Sequence, residues 1–361
     1  MPDPLDDLRA AIDAIDADLL DRLNQRARLV QDIGRRKSNA GAPSFAPARE
    51  REILTRLVRQ NKGPLTTNHV QAVFREIISA ARSLEATERV AYLGPPFTFS
   101  HEASQRHFGT SATHIPLRSF RDIFDRVNRG EETYGVVPVE NTASGTIGET
   151  LDLFSEFDVH VTSEVVLPVY HNLLAKESTG EFHIIYSHPQ VLSQCREWLA
   201  RNHPDVPAIE TASTGEAARR AAGETKAAAI GPASAAQAHG LTIVQRNIQD
   251  LAENRTRFYV IARQMARRSG NDKTAVMFEI QDRVGALHDV LGIVRAHGVN
   301  LGFIQSRPSR RKPGDYLFFV ELRGHPDDPD IGAVLRVLPD HVVSSRVLGA
   351  WPASSNGGER S

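Results

Sequence analysis

The chain has 361 residues, of which 40% are hydrophobic and 24% are charged, and its formal net charge is -1. This length predicts two or three domains, each large enough for its own core. The balanced charge gives no reason to expect nucleic acid as a partner. No apolar run approaches the roughly 18 residues that a membrane-spanning helix needs, so we expect no membrane segment. Cys195 is the single cysteine, which excludes a disulfide framework and a cysteine-based zinc cluster.

The first part of the chain has the period of a long helix. Apolar residues recur at steps of three and four from Leu5 to Ile33, which predicts one helix over residues 4–37. The acidic, amphipathic start is unlike a signal peptide, so we expect a cytoplasmic protein. Two shorter helices are predicted over residues 47–61 and 68–88, after Gly- and Pro-containing breaks. One long helix and two short ones cannot close a core, so an intertwined helical dimer is expected.

Basic side chains mark one face of this long helix. Arg26 and Lys37 are eleven residues apart and therefore share a face. Arg9 is too far along the same helix to meet them. In an antiparallel dimer, however, Arg9 of one chain could reach Arg26 and Lys37 of the other. The alternative for each residue is an ordinary solvated position.

The string LRAAIDAIDADLLDRLNQRARLVQDIGRRK, followed by RERE, resembles the all-helical chorismate mutase domain over residues 1–88. The resemblance implies a site that grips both carboxylates of chorismate and stabilises charge on the breaking C–O bond. The residues so implied are Arg26, Lys37 and Glu85 as catalytic and Arg9, Arg49 and Glu50 as substrate-binding. Ala46 and Ala81 stand where some relatives have Asp and Ser, which predicts a weakened or lost mutase activity.

Residues 89–264 alternate between buried strands and helices, which predicts a mostly parallel α/β sheet in two lobes with a cleft. Three ordered strings, VVPVENTASG, YSHPQVLSQC and NRTRFYVI, resemble the signatures of prephenate dehydratases. The resemblance implies that Thr256 donates to the leaving hydroxyl of prephenate and that Asn141, Ser187 and Gln194 orient the substrate. It also implies substrate contacts from Thr98, Ser100, Arg257 and Phe258. Taken singly, each motif would be read as a turn, a helix cap or strand packing.

One loop of this domain departs from the family pattern, and motifs for metals and phosphates are missing from its sequence. Pro96 and Phe97 depart from the usual opening loop, and Phe97 replaces a residue that is free to adopt positive φ. No HxxxH or HExxH spacing and no glycine-rich phosphate loop occurs, so neither a metal nor a cofactor is expected.

After a polar linker, residues 272–352 predict the βαββαβ plan of a ferredoxin-like domain. The strings DRVGALHDVL and FIQSRPS resemble the regulatory ACT domain. The resemblance implies phenylalanine bound between two ACT domains, in contact with Gly285, Ala286 and Leu287 and with Gln305, Ser306, Arg307 and Pro308. Gln305 replaces the usual Glu, which predicts weaker binding. Removing the chain after Met265 is expected to leave a dehydratase that ignores phenylalanine.

The sequence thus predicts an enzyme of phenylalanine synthesis with a chorismate mutase site, a prephenate dehydratase site and a phenylalanine site, in a homodimer or homotetramer. One alternative is a monofunctional prephenate or arogenate dehydratase whose helical domain serves only dimerisation. Another is a non-catalytic amino-acid sensor.

Overall fold

The computed structural model describes residues 4–39, 47–85, 88–177, 181–309 and 315–353. The chain divides into two compact units. The helical unit comprises Met1–Glu88 with Phe108–Thr113, and the α/β unit comprises Arg89–His107 with His114–Ser361. None of the helices in these described ranges is long and apolar enough to cross a membrane.

The helical unit contains three helices: α1 (Pro4–Asn39), α2 (Pro47–Gln60) and α3 (Thr67–Ser83). The start of α3 is fixed by a capping box. Thr66 accepts a hydrogen bond from the backbone N–H of His69, whose ring nitrogen accepts one from the backbone N–H of Thr66. Helix α3 packs against both α1 and α2. The predicted order of helices is therefore confirmed, although α3 ends five residues before the predicted limit.

The apolar stripe of α1 is exposed in the single chain. Leu8 is 62% exposed and Ile15 is 60% exposed, and five further residues of the stripe are at least 38% exposed: Leu5, Ile12, Leu19, Leu23 and Ile33. Soluble monomers rarely leave a contiguous apolar surface of this kind uncovered. The stripe therefore fits the predicted burial of α1 against a second copy.

The first lobe of the α/β unit contains a sheet in the order β2-β1-β3-β11-β5. Its strands are β1 (Arg89–Leu93), β2 (Thr113–Leu117), β3 (Tyr134–Asn141), β5 (His160–Pro168) and β11 (Arg255–Ala262), and β4 (Gly145–Thr146) pairs with β3. Its helices are α4 (Phe99–Phe108), α5 (Phe120–Arg129) and α6 (Gly148–Leu153). Strand β11 runs antiparallel to both β3 and β5, whereas β1 and β3 are parallel to each other. The prediction of a mostly parallel sheet is wrong here, because β11 returns from the second lobe in the opposite direction.

The second lobe has a five-stranded sheet in the order β10-β6-β9-β7-β8. The strands are β6 (Asn172–Ala175), β7 (Ile184–Ser187), β8 (Ala208–Glu210), β9 (Ala227–Gly231) and β10 (Thr242–Gln245). The helices are α7 (Pro189–Gln194), α8 (Arg196–Asn202), α9 (Thr214–Gly223) and α10 (Ala233–His239). The chain enters this lobe after β5 and leaves it before β11, so two segments connect the lobes.

The C-terminal domain has the predicted βαββαβ order: β12 (Asp272–Ile280), α11 (Ala286–Ala296), β13 (Leu301–Pro308), β14 (Tyr316–Arg323), α12 (Pro329–Val337) and β15 (Ser344–Pro352), with a 3-10 turn (Leu338–Asp340) between α12 and β15. Its sheet, β13-β14-β12-β15, continues into the first lobe through a pairing of β15 with β5. Gly349 makes this approach possible. A Cβ at Gly349 would lie 2.2 Å from the carbonyl oxygen of Val161, and its φ of +152° also disfavours other residues.

The C-terminal domain and the first lobe share one hydrophobic core. Trp351 and Leu348 of β15 pack in the same cluster as Tyr259 of β11 and Phe154. Trp351 is fully buried, with its ring 5.3 Å from that of Tyr259. The C-terminal domain is therefore part of the structure that supports β11, and not an appendage on a linker.

Candidate active sites and effector site

Asn141, the last residue of β3, is held in one orientation by backbone groups. Its Oδ1 accepts from the backbone N–H groups of Ala143 and Ser144, both at 3.0 Å, and from the Ser144 hydroxyl at 3.1 Å. A backbone N–H can only donate, so this atom must be the amide oxygen. The Asn141 NH₂ group is therefore fixed on the other side, as a donor.

Thr256 of β11 lies opposite Asn141 in the antiparallel register and receives that donor. Asn141 Nδ2 donates to Thr256 Oγ1 at 2.8 Å and to Asn254 Oδ1 at 3.0 Å. Because the Thr256 oxygen accepts here, its own hydrogen is available for another acceptor. The strand register thus presents an oriented hydroxyl group at the end of the first-lobe sheet.

Gln194, the last residue of α7, connects the second lobe to this pair. Its Nε2 donates to Asn141 Oδ1 at 3.3 Å, and its Oε1 accepts from Asn254 Nδ2 at 3.0 Å. The ring Nε2 of His171 lies 2.7 Å from the same Oε1. His171 and Asn254 belong to the two segments that connect the lobes, so the polar network spans the cleft at its hinge.

The sequence interpretation overlooked His171 and Asn254. Asn254 lies inside the NRTRFYVI string, immediately before the residues that drew attention, and that position was the available signal. His171 carries no comparable signal, because it follows a strand-rich stretch without any motif of its own.

Other predicted dehydratase residues lie outside this network. The Ser187 hydroxyl is buried and donates to the Ile230 carbonyl at 2.8 Å, and the Thr98 hydroxyl donates to the Pro95 carbonyl at 3.2 Å. Ser100 in α4 is buried, and Phe258 is only 1% exposed. Their substrate contacts stay predictions, which the hydrogen bonding of Ser187 and Thr98 does not support.

The unusual loop at Pro96 and Phe97 has a defined conformation. Phe97 adopts a φ of +66°, although it has a side chain, and its backbone N–H donates to His101 Nδ1 at 3.1 Å. This hydrogen bond helps to hold a conformation that costs a non-glycine residue about 1–2 kcal/mol. The substitution of Phe at this position is therefore accommodated rather than excluded.

The predicted role of Arg257 as a partner for a substrate carboxylate disagrees with its surroundings. Its guanidinium donates to Glu140 at 3.2 Å and to Glu321 of β14, and it lies 3.5 Å from Glu164. Lys273 of β12 pairs with the same Glu164 at 3.0 Å. Arg257 therefore connects β11 to the C-terminal domain.

In the helical unit, buried polar atoms gather where the three helices meet. Arg26 Nη1 and Glu85 Oε2 are buried and have no hydrogen-bond partner among the described residues. Burial lowers the pKa of Arg26, which Glu50 opposes. Glu85 is packed against α1, since a Cβ on Gly34 would lie 2.8 Å from Glu85 Cγ. Two buried polar groups that lack partners in the described part of the chain fit a site that is completed by a ligand.

Glu50 is engaged by a residue that the sequence interpretation overlooked. Arg82 of α3 donates to Glu50 Oε1 at 2.8 Å and lies 3.4 Å from Glu88. Burial raises the pKa of Glu88 to about 7, and Arg82 opposes that shift. Arg82 thus holds the Glu50 carboxylate by a hydrogen bond, although no sequence motif in α3 marks Arg82 as a functional residue.

The other positions predicted for the mutase site are exposed, lie outside the described residues or carry a small buried side chain. Arg9 and Arg49 are exposed and pair with Asp6 and Glu52 on their own helices. The backbone of Lys37 belongs to α1, but its side chain and all of Ala46 lie outside the described residues. Ala81 is buried, 5% exposed. A site that includes Arg9 requires a second chain, as the sequence predicts.

In the C-terminal domain, an open depression of about 260 Å³ lies at the start of α11. Its lining includes Arg283, Gly285, Ala286, Leu287 and Tyr316. Gly285 precedes the helix with a φ of +81°. Free backbone N–H groups at a helix start favour a carboxylate. Three of the predicted effector residues therefore line one concave surface.

The second predicted group, on β13, does not line this depression within one chain. Arg307 donates to both oxygens of Asp152 in α6, at 3.0 and 2.9 Å, and these hydrogen bonds raise the pKa of Arg307. Gln305 donates to the Ser306 carbonyl at 3.1 Å. Ser306 and Pro308 alternate with them along the strand and are exposed. Arg307 thus connects β13 to the first lobe, and an effector contact from this strand requires a second copy.

Comparison with known proteins gives three domain matches in order. The family model for chorismate mutase type II matches residues 8–86, that for prephenate dehydratase matches residues 90–266, and that for the ACT domain matches residues 274–340.

Among the described residues, no group of three or more His, Cys, Asp or Glu side chains is placed to hold a metal ion.

Similarity to individual proteins extends over nearly the whole chain. The bifunctional chorismate mutase/prephenate dehydratase of Aquifex aeolicus is 43% identical over 353 residues, which cover 96% of this chain and 98% of that protein. The enzyme of the same name from Stutzerimonas stutzeri is 39% identical, with 97% and 98% covered. The solved prephenate dehydratase of Arthrobacter aurescens in complex with L-Phe is 29% identical, with a TM-score of 0.67, and covers 73% of this chain and 89% of that one.

These matches confirm the predicted three-domain fold class. They do not favour a monofunctional dehydratase or a non-catalytic sensor, because the relatives match through both enzyme domains. The chorismate mutase, prephenate dehydratase and ACT regions follow one another in this order along the chain. The chain belongs to the family of bifunctional chorismate mutase/prephenate dehydratases, enzymes of phenylalanine biosynthesis.

Proposed function

We propose that the network around Asn141 and Thr256 is the dehydratase site and that the Thr256 hydroxyl donates a hydrogen bond to the departing hydroxyl of prephenate. The main support is the orientation of Asn141. Its NH₂ group donates to the Thr256 oxygen, so the hydroxyl hydrogen of Thr256 remains free to donate to a substrate. Turnover of Thr256→Ala on prephenate tests this role.

The dehydration of prephenate can be promoted by uncharged side chains such as the Thr256 hydroxyl. The C–C bond to the ring carboxylate breaks, CO₂ leaves, and the electron pair enters the ring as the C–O bond to the hydroxyl breaks. Aromatisation drives this step, so the protein needs only to stabilise charge on the departing oxygen. A preorganised hydroxyl, oriented by amide groups that need not reorganise, supplies that stabilisation.

The mutase site follows from the helical unit and a second copy of the chain. Arg26 and Glu85 present buried polar atoms without protein partners among the described residues, and the apolar stripe of α1 is exposed beside them. Pairing of α1 with α1 of a second chain would cover the stripe and bring Arg9 of that chain toward Arg26. Chorismate, with two carboxylates, supplies acceptors for these cations.

Glu85→Gln is expected to raise mutase turnover at neutral pH by about tenfold, the value of one net hydrogen bond of ~1.4 kcal/mol. The ether oxygen gains negative charge as its bond to carbon breaks, and an amide donates to it at any pH. A carboxylate can only accept unless it is protonated. Chorismate consumption is the measurement, and Glu76→Gln is the matched control, because Glu76 interacts with Thr110 instead. Unchanged turnover in Glu85→Gln would place Glu85 outside the site.

Phenylalanine is the proposed effector of the ACT domain. The concave start of α11 offers backbone donors for its carboxylate. Arg307 and Arg257 give the C-terminal domain direct contacts with the first lobe, through which an effector could favour one of two states. A homodimer or homotetramer, in which β13 of a second copy completes the effector site, belongs to the same proposal. A cytoplasmic location belongs to the same proposal.

Gly285→Ala is expected to raise the half-inhibitory concentration of phenylalanine about tenfold. Its φ of +81° suits glycine, and a side chain there costs about 1–2 kcal/mol or moves the helix start. Gly292→Ala is the matched control, because Gly292 lies on the exposed face of α11 with ordinary φ and no atom within 4 Å of an added Cβ. Inhibition of prephenate turnover at increasing phenylalanine is the measurement. Equal inhibition of both variants would place the effector elsewhere.

A further inference from the structure

His171 lies at the end of the hydrogen-bonded network that starts at Thr256 and runs through Asn141 and Gln194. It is 1% exposed and lies between β5 and β6, on the first segment that connects the two lobes. Its backbone is fixed from both sides, since its N–H donates to Gln249 Oε1 at 3.0 Å and its carbonyl accepts from Ile248 at 2.8 Å. The imidazole is thus held in place independently of any ligand.

The direction of each hydrogen bond in the network follows from the anchored oxygen of Asn141. Because that oxygen only accepts, Gln194 must present its NH₂ group to Asn141. The Gln194 oxygen then faces His171 and accepts from Asn254. The His171 nitrogen at 2.7 Å from this oxygen must therefore carry a hydrogen.

The other ring nitrogen of His171 supports a neutral imidazole. Nδ1 is buried and has no hydrogen-bond partner among the described residues. A proton on Nδ1 would be a buried donor left unpaired. Burial also lowers the pKa of His171, which the hydrogen bond to Gln194 opposes. The Nε2–H tautomer fits both nitrogens.

We propose that His171 is a positioning residue for the dehydration step, acting through Gln194 and Asn141 on the Thr256 hydroxyl. Its Nε2–H group holds the Gln194 amide in the orientation that donates to Asn141, in a chain that ends at Thr256. Without that donor, Asn254 alone donates to the Gln194 oxygen, so the orientation in which the Gln194 NH₂ group donates to Asn141 is held by one hydrogen bond fewer. This inference rests on the proposed role of Thr256 and extends it to the hinge.

Three variants of the full chain separate positioning from packing. His171→Leu removes the donor. His171→Asn is shorter, and its amide reaches only the Nδ1 side. His171→Gln can place an NH₂ group where Nε2 lies. We expect Leu and Asn to lower kcat on prephenate about 10- to 100-fold, with KM changed less than about threefold, and Gln to recover most of the loss. A normal kcat in Leu and Asn, or an equal loss in all three, would overturn the proposal.

A double-mutant cycle tests whether His171 acts through Thr256. In the Thr256→Ala background, His171→Asn is expected to cause no further loss of kcat, because the hydroxyl that it positions is absent. Multiplying losses would overturn the proposal. If Thr256→Ala alone is fully active, the proposed role of Thr256 in dehydration is wrong. If the single His171 variants nevertheless lose activity, His171 acts through a residue other than Thr256. The urea midpoint of each variant, compared with that of the wild-type chain, reports whether the α/β unit has folded.

Discussion

Thr256→Ala is expected to lower dehydratase turnover by about two to four powers of ten. The substitution removes the hydroxyl to which Asn141 donates, while the amides of Asn141, Asn254 and Gln194 remain. Mutase turnover is expected to stay at the wild-type level, because the mutase residues belong to the separate helical unit.

Thr256→Ser is the matched control for this loss. It retains the hydroxyl and removes only a methyl group, so we expect it to keep turnover within about tenfold of wild type. Initial rates of phenylpyruvate formation from prephenate are the measurement. Equal losses in the Ala and Ser variants would assign the effect to packing at this nearly buried position.

Trp351→Ala is expected to lower the free energy of unfolding of the α/β unit by about 3–5 kcal/mol. Trp351 is fully buried in the core that the C-terminal domain shares with the first lobe, beside Tyr259 of the catalytic strand. The cavity would therefore weaken the dehydratase and the ACT domain together. Urea unfolding, followed by the fluorescence of Trp198, the remaining tryptophan, is the measurement.

Trp351→Phe is the control for the cavity. It keeps an aromatic ring and removes the indole Nε1–H, which is buried without a partner among the described residues. We expect a loss below about 1.5 kcal/mol. A Trp351→Ala variant with an unchanged urea midpoint would show that the two domains do not depend on a common core.

This shared core also changes the expectation for truncation after Met265. The sequence favours an active dehydratase without regulation, because a polar linker separates two predicted domains. In the structure, truncation would remove Trp351, leave Arg257 without Glu321, and leave the buried Glu164 without Lys273. Breaking a buried ion pair in this way costs about 3–5 kcal/mol. We therefore expect the truncated chain to be destabilised.

The sequence predicted what depends on local pattern. The period of α1, the order of the three N-terminal helices and the βαββαβ order are set by residues close together in the chain, and they are confirmed. Asn141, Gln194 and Thr256 were found because each lies within a recognisable string. The domain limits 1–88, 89–264 and 272–352 stay predictions, beside family matches with similar bounds.

What the sequence missed depends on distant contacts. The contact of Arg257 with Glu321, 64 positions away, could not be seen from the sequence, which suggested only a contact with a substrate carboxylate. Arg82 and Glu50 are 32 positions apart and share no motif. The mixed sheet arises because β11 returns from the second lobe, and strand direction is not encoded in the alternation of strands and helices. The contact of His171 with Gln194 forms only once the segments that connect the two lobes are folded.

The product formed when chorismate is supplied to the Thr256→Ala variant tests the assignment of two reactions to two sites most directly. We expect the variant to consume chorismate at the wild-type rate and to accumulate prephenate, whereas the wild-type chain carries the flux through to phenylpyruvate. Phenylpyruvate formation at the wild-type rate, or a chain that no longer consumes chorismate, would contradict it.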